Sequence, residues 1–391
     1  MTGQRRGMVR AMRALWVAGA LAGLGALSGC STLGYYWQSA TGHLALMHAA
    51  RPVDAWLQDP ATPDPLKARL ALAQQMRRFA VTELHLPDNP SYQGYADLNR
   101  PAAVWNVVAA PELSLQLRQW CFPVAGCVSY KGYFERAAAD AEAAQLRAQG
   151  LEVSVQPVPA YSTLGWSNWA GGDPLLNTFI GYPEGALARL IFHELAHQQV
   201  YVANDTRFNE SFATAVERLG GTRWLAAHGS PAAQAANALA QTRRQQFRAL
   251  TLDLQQTLRG VYGEADDGDE DLHEKPNRQS DNSAPAATPE QTEARHILKS
   301  AALKDFARRY AELKAGWGGY AGYDEWVDKV NNAALGSLSA YDALVPGFEA
   351  LFEKSGRDWR SFYAAVQQLA EMPKAARHEA LRGHGSPRSR G

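Results

Sequence analysis

The sequence contains one short segment whose residue types and spacing suit metal chemistry, I-F-H-E-L-A-H at positions 191–197. On a helix, His193 and His197 lie one turn apart on the same face, so both imidazoles can bind a single ion. Glu194 is rotated by about 100° from His193, and its carboxylate can reach a water on the ion without binding the ion. This arrangement predicts hydrolysis: Zn²⁺ lowers the pKa of its water toward about 7, the carboxylate takes the proton, and the hydroxide attacks a carbonyl. The alternative is a surface helix with two solvated histidines.

A third ligand is expected from the next helical segment, F-N-E-S-F-A-T-A-V-E at 208–217. Helical spacing places its phenylalanines and Val216 on a core-facing side. Two carboxylates, Glu210 and Glu217, share another face. Either one would complete a His₂Glu zinc site, with Glu194 as the general base.

The elements that must position these residues are predicted from apolar periodicity and turn residues. The metal helix is expected to begin near Pro183. The other predicted elements are helices over 65–84, 134–149 and 232–262, short strands within 104–130 and at 151–155, and a further helix from Pro289.

Two segments have compositions that do not support a packed structure. Residues 263–292 contain the acidic run 266–271 and almost no large apolar residues, which predicts a disordered insertion. A calcium loop is the alternative, but its D-x-D-x-D-G spacing is not met. Residues 377–391 are predicted to be a flexible polar tail. Two further His-Glu pairs, at 273–274 and 378–379, lie in these segments and lack a histidine at the spacing of one helical turn.

The first 29 residues are typical of an export signal. Four arginines precede the apolar run 14–27, which ends in L-S-G-C at 27–30. This ending resembles the lipobox of bacterial lipoproteins, so Cys30 is predicted to be acylated and to anchor the chain to a membrane. Ser31 follows where an Asp would indicate the inner membrane, which favours the outer membrane and a domain that faces the periplasm. A signal whose cysteine is incidental is the alternative.

Once Cys30 is assigned to the anchor, two of the three cysteines remain. Cys121 and Cys127 flank F-P-V-A-G, whose turn residues can bring the two ends together. In an oxidising compartment such a pair predicts a disulfide, with two free thiols as the alternative.

Composition and charge are those of an ordinary globular chain. Of 391 residues, 46% are hydrophobic, and 39 basic residues balance 39 acidic ones. With no net charge and no basic patch interleaved with aromatics, nucleic acid is excluded as an expected partner. The length supports one large domain, which we predict to span residues 30–376.

H-E-L-A-H-Q followed by N-E-S-F-A-T-A-V-E resembles the gluzincin metallopeptidases, notably their aminopeptidases. In that pattern the Glu after Asn is the third ligand, which corresponds to Glu210. The gap from His197 to Glu210, residues 198–209, is shorter than is usual in gluzincins. The gap to Glu217 has the usual length, so Glu217 stays as the alternative ligand.

Several motifs together resemble a family of bacterial lipoproteins described as aminopeptidases. They are the lipobox, W-C-F-P-V-A-G-C at 120–127, D-P-L-L-N-T at 173–178, the H-E-L-A-H-Q helix, Y-D at 323–324 and N-N at 331–332. The resemblance implies an α+β, zincin-like fold that is mainly helical with a small mixed sheet, in which a Glu-bearing helix follows the metal helix. It also implies zinc as the cofactor and a peptide as the substrate.

The sequence departs from the gluzincin aminopeptidase pattern in one respect, and one alternative function stays open. No segment matches the element that holds the free amino terminus in gluzincin aminopeptidases, so peptide hydrolysis is better supported than exopeptidase specificity. The alternative is a non-catalytic lipoprotein of the same fold that binds peptides or envelope partners. Retention of Glu194 argues against it, because a pure binder needs no base.

Two further expectations concern the substrate cleft. In zincins the segment before the metal helix, here 164–179, commonly forms an edge strand that pairs with extended substrate. Trp166 and Trp169 are candidates for lining that cleft, although buried aromatics are the commoner case. A tyrosine that stabilises the oxyanion is also expected, with the candidates Tyr320, Tyr323 and Tyr341.

Overall fold

A computed structural model describes residues 34–35, 37–122, 126–160, 171–264, 288–338 and 344–385. The predicted signal peptide, Cys30, Trp166, Trp169 and Tyr341 lie outside these ranges. The chain forms two units, Met1–His48 and Ala49–Gly391. Helix α1 (residues 37–49) belongs to the first unit except for residue 49, and the elements described below belong to the second.

The second unit is mostly helical, with short strands, as the sequence predicts. Its helices are α2 (Val53–Gln58), α3 (Asp64–Thr82), α4 (Arg136–Ala148), α5 (Asn177–Ile180), α6 (Glu184–His197), α7 (Thr206–His228), α8 (Pro231–Tyr262), α9 (Pro289–Gly316), α10 (Asp324–Asp328), α11 (Asn332–Leu338), α12 (Val345–Lys354), α13 (Trp359–Glu371) and α14 (Lys374–Gly385). Its strands are β1 (Arg51–Pro52), β2 (Gly94–Ala96), β3 (Val104–Pro111), β4 (Trp120–Phe122), β5 (Gly126–Val128), β6 (Lys131–Tyr133), β7 (Leu151–Val158) and β8 (Leu175–Leu176). None of the helices in the described ranges has the length and apolar character that crossing a bilayer requires.

The described strands form three small sheets where the sequence predicts one. An antiparallel sheet has the order β6-β3-β7, and β4 and β5 form a hairpin. The third sheet, β1-β2-β8, is mixed, because β2 runs antiparallel to β1 and parallel to β8. Its strands have only two or three residues each, too few to leave a period in the sequence.

The predicted flexible tail, residues 377–391, is wrong as far as Gly385. Helix α14 runs from Lys374 to Gly385, and Arg377, His378 and Leu381 on it are buried. The polar composition misled the prediction because this helix buries charged side chains against charged partners, which no apolar period reports.

The predicted insertion 263–292 is too long at its C-terminal end. Residues 289–292 form the first turn of α9, which Thr288 caps in a reciprocal capping box with Gln291. At the other end, the Glu264 carboxylate accepts a hydrogen bond from the backbone N–H of Leu115. Residues 265–287 lie outside the described ranges.

Helices α6 and α7 pack closely along each other and run antiparallel. Positions 197, 193, 189 and 185 of α6 face positions 210, 217, 221 and 225 of α7 in that order. Gly221 permits this approach, since a Cβ there would lie 2.6 Å from Cγ of the buried Arg189. The pairing of these two helices builds the site described next.

Candidate metal centre

The H-E-L-A-H segment forms the last part of α6. The helix begins after Pro183, as predicted, and buries Ile191, Phe192 and Leu195 completely or nearly so. Because these apolar residues fix the rotation of the helix, His193 and His197 are directed together toward α7. Glu194 is adjacent to this face and is partly buried.

Three side chains converge at this point. Nε2 of His193 lies 3.2 Å from Nε2 of His197 and 3.4 Å from Oε2 of Glu210. Oε1 of Glu210 lies 3.7 Å from Nε2 of His197. One ligand atom of each residue lies within 4.8 Å of the others, which makes the three a group that can hold a metal ion.

The spacing of these atoms suits a small tetrahedral ion. Ligand atoms at 2.0–2.1 Å from such an ion are about 3.3 Å apart. The separations here are 3.2 Å and 3.4 Å from Nε2 of His193, and a somewhat wider 3.7 Å between His197 and Glu210. Two imidazoles and one carboxylate are also the donor set of a catalytic zinc site, which leaves a position for water or substrate. The residues therefore fit the metal that the sequence implies.

Glu217 lies on the other side of the His193 ring. Its Oε2 atom is 3.0 Å from Nδ1 of His193. A carboxylate accepts a hydrogen bond from a ring N–H, so Nδ1 donates to Glu217, and Nε2 is the ring nitrogen that faces His197 and Glu210. Nδ1 of His197, in contrast, is buried and has no hydrogen-bond partner among the residues that the structure describes.

The pKa values of the three converging side chains shift in different directions. Burial opposes the charged form of His193, but hydrogen bonds with Glu210 and Glu217 outweigh it and raise the pKa of His193 well above its usual value. Burial and the neighbouring His193 lower the pKa of His197 to about 4, although Glu210 acts to raise it. Burial also acts to raise the pKa of Glu210, yet the two histidines lower it overall.

The loop between the two helices is held by the residue before Glu210. The Asn209 side chain is buried, accepts a hydrogen bond from the backbone N–H of Val202 and donates one to the carbonyl of Val202, both at 2.8 Å. This bidentate bond closes the connection 198–205 and sets the start of α7. The Asn of the N-E pair therefore positions the loop, and the Glu completes the cluster.

Two tyrosines that the sequence analysis did not select interact with the site. Tyr201 is 53% exposed, and desolvation followed by the charge of Glu210 raises its pKa. Tyr92 is buried, and desolvation followed by the charge of Glu194 raises its pKa well above the usual value. Its hydroxyl is buried, and no hydrogen-bond partner for it lies within the described ranges. Only the position of Tyr201 shortly after H-E-L-A-H-Q gave a sequence signal.

Two of the tyrosines proposed from sequence, Tyr320 and Tyr323, lie beside other aromatic and basic side chains. The ring of Tyr323 stacks on Phe247 at 4.0 Å between centroids. The guanidinium of Arg243 lies 4.3 Å from the ring centre of Tyr320. Both belong to an aromatic cluster on α8, α9 and the segment before α10.

The disulfide prediction is confirmed. Cys121 and Cys127 are bonded to each other across the β4–β5 hairpin, where they pair in register.

Comparison with known families gives one match, to a family described as "Putative aminopeptidase", over residues 34–284 and 283–381. The match covers most of the chain, including α6, α7 and the whole donor set. The chain belongs to this family. The predicted resemblance is thereby confirmed at the level of the aminopeptidase family, whose description indicates hydrolysis of peptides. Comparison with curated proteins and with solved structures found no match.

Proposed function

We propose that this chain is a zinc-dependent peptidase in which His193, His197 and Glu210 hold the ion. The observation that carries the proposal is the convergence of these three side chains from two antiparallel helices, with ligand atoms within 4.8 Å of one another. A bound Zn²⁺ would supply Lewis acidity, which polarises a scissile carbonyl and makes water more acidic. Family membership supports a peptide as the substrate.

The residues of the chain have separate tasks in this proposal. Glu194 follows the first histidine and is not one of the three metal-binding side chains, and in this proposal it acts as the general base. It takes the proton of the attacking water as the new C–O bond forms. It then returns a proton to the leaving nitrogen as the C–N bond breaks. Glu217 keeps the His193 ring in the orientation and tautomer that metal binding requires.

The fold and the site support a gluzincin-like arrangement within the family. In this arrangement a Glu on the helix after the metal helix supplies the third ligand, as Glu210 on α7 would. The short connection 198–205 is compatible with it because α7 returns directly alongside α6. Since the sequence lacks the element that binds a free amino terminus in gluzincin aminopeptidases, the proposal covers peptide-bond hydrolysis in either exo or endo mode.

We also propose that Cys30 is acylated and anchors the protein to the outer membrane, with the domain in the periplasm. The support is the lipobox, the arginines before the apolar run and Ser31 after the cysteine. The disulfide between Cys121 and Cys127 suits an oxidising compartment.

The test combines metal content with a peptide-library digest of the purified protein. Wild type is expected to hold one zinc per chain and to cleave peptides, and His193→Ala and Glu210→Ala are expected to lose both properties. Glu194→Gln keeps the shape but cannot take the proton, so zinc stays while hydrolysis falls by a factor of about 10² or more. His296→Ala, which removes a histidine on α9, is the matched control and should change neither.

Two outcomes would count against the proposal in different ways. A Glu194→Gln protein as active as wild type would show that Glu194 is not the base. A zinc-loaded wild type that retains peptides without cleaving any would instead favour the non-catalytic peptide-binding lipoprotein.

A further inference from the structure

Asp205 is a buried carboxylate at the start of the helix that carries Glu210. It is 1% exposed, and its Oδ1 atom accepts the backbone N–H of Phe208 as the N-cap of α7. Nε2 of His378 lies 3.0 Å from both carboxylate oxygens of Asp205. His378 is 4% exposed and comes from α14, 173 residues further along the chain.

Two other residues of α14 also contact the chain at the start of α7. Nζ of Lys374 donates to the carbonyl of Asn204 at 3.1 Å. Nε of the buried Arg377 lies 3.6 Å from Oδ2 of Asp205, and its guanidinium lies over the ring of Phe208. The C-terminal helix therefore holds the first turn of α7 by hydrogen bonds, charge and ring contact together.

Glu210 lies close, along α7, to the contact between Asp205 and His378. It is five residues after Asp205, about 7.5 Å along a helix at 1.5 Å per residue. Asn209, the residue before Glu210, closes the loop on the other side of the helix start. Because ligand atoms must lie within about 0.2 Å of their ideal distances, a small tilt of the first turn of α7 would weaken metal binding.

The chemistry of the contact suggests that it fixes geometry. Buried ion pairs pay a desolvation penalty, and apolar packing often stabilises a fold as well or better. The charged residues buried at the start of α7 therefore indicate that the position of its first turn must be fixed. His378 is suited to this because its ring nitrogen bonds both oxygens of a rigid carboxylate.

We propose that His378 is a positioning residue for the metal ligand Glu210 and acts through Asp205. The consequence for metal affinity rests on the proposed zinc function. The predicted effect on how firmly the first turn of α7 is held does not depend on a bound metal. The two can therefore be measured separately on the full chain.

The experiment compares His378→Ala with Leu381→Ala. Leu381 is fully buried on the same helix, and a Cβ on Gly347 of α12 would lie 2.2 Å from its carbonyl oxygen, so this residue lies where α14 and α12 meet. His378→Ala is expected to weaken zinc binding by about 10–100-fold in competition with a chelator, with activity restored by excess zinc. Leu381→Ala is expected to lower the melting temperature and to leave zinc affinity within twofold. His378→Gln, whose amide can donate to Asp205, is expected to recover most of the affinity.

A second measurement does not involve the metal. In zinc-free protein, hydrogen exchange of the amides at 206–210 is expected to be at least tenfold faster in His378→Ala than in Leu381→Ala. Equal exchange in the two variants would overturn the positioning role whether or not zinc binds. Faster exchange with unchanged zinc affinity would overturn the link from Asp205 to Glu210. Should His378→Ala fail to fold, His378→Gln and His378→Asn give the same comparison. The side chain of Asn is shorter than that of Gln and does not reach as far toward Asp205.

Discussion

The Oε2 atom of Glu217 lies 3.0 Å from Nδ1 of His193, while Oε2 of Glu210 lies 3.4 Å from Nε2 of the same ring. The two carboxylates of α7 therefore face opposite nitrogens of one imidazole. Their separation of seven residues, close to two helical turns, puts both on the same side of α7. Glu210 faces the point where the ligand atoms converge, and Glu217 supports the ring from behind.

Removing the Glu217 carboxylate is expected to weaken metal binding without abolishing it. Glu217→Ala leaves all three ligand atoms in place but releases the orientation of the His193 ring, which should weaken zinc binding by about 10–100-fold. Chelator competition measures the change. Glu210→Ala should weaken binding further, and Glu349→Ala, which removes a partly exposed carboxylate paired with Arg218, is the control. If Glu217→Ala loses more zinc than Glu210→Ala, the two roles are reversed.

The close approach of α6 and α7 predicts opposite effects for two Gly→Ala substitutions. Gly221→Ala places a Cβ 2.6 Å from Cγ of Arg189 and should destabilise the fold by about 1–3 kcal/mol. Gly260→Ala, within α8 and with nothing within 4 Å, should stabilise it by about 0.5–1 kcal/mol. Urea unfolding gives both values. A neutral Gly221→Ala would mean that the helices can separate at no cost.

The charge of Asp205 is expected to stabilise the fold at neutral pH. Burial acts to raise its pKa, but hydrogen bonds from His378 and Phe208 lower it overall. Since the folded pKa is below the unfolded value of about 3.9, the stabilisation is present above that pH. It is lost as the pH falls through the folded pKa.

Asp205→Asn should therefore cost about 1–3 kcal/mol at pH 7, and the difference from wild type should shrink as the pH approaches 3. Urea unfolding between pH 3 and 7 measures it. Asp253→Asn, which removes an exposed carboxylate paired with Arg309, should have little effect at either pH. A deficit in Asp205→Asn that is the same at every pH would assign its role to shape rather than charge.

The lipid anchor predicts how the protein fractionates. Cys30→Ser removes the acylation site, so the chain should no longer reach the membrane fraction as a processed lipoprotein. Ser31→Ala should fractionate like wild type, and Ser31→Asp should shift the protein toward the inner membrane. Membrane separation followed by immunoblotting gives the result. Unchanged fractionation of Cys30→Ser would refute acylation.

The sequence predicted those parts of the site that depend on local spacing. The H-E-L-A-H helix, the Glu-bearing helix after it and the Cys121–Cys127 bond all follow from residues close together in the chain. The choice between Glu210 and Glu217 did not follow, because both share one face of α7 and only their distances from the His193 nitrogens separate them.

Other features could not be predicted because their partners are far apart in sequence. The sequence predicts His378 to lie in a flexible polar tail, yet it pairs with Asp205 across 173 residues. Tyr92 lies on a loop before β2, and no motif connects it with Glu194. Long-range pairings of single polar residues leave no period, and a periodic pattern is what a sequence reading detects.

The antiparallel pairing of α6 and α7 also has a consequence for the order of folding. All the ligand atoms lie within residues 193–217, on two helices joined by the short connection 198–205. Contacts of such low sequence separation form early, whereas the meeting of His378 with Asp205 must first close a loop of 173 residues. A refolding chain is thus expected to bring His193, His197 and Glu210 together first and to fix the start of α7 later.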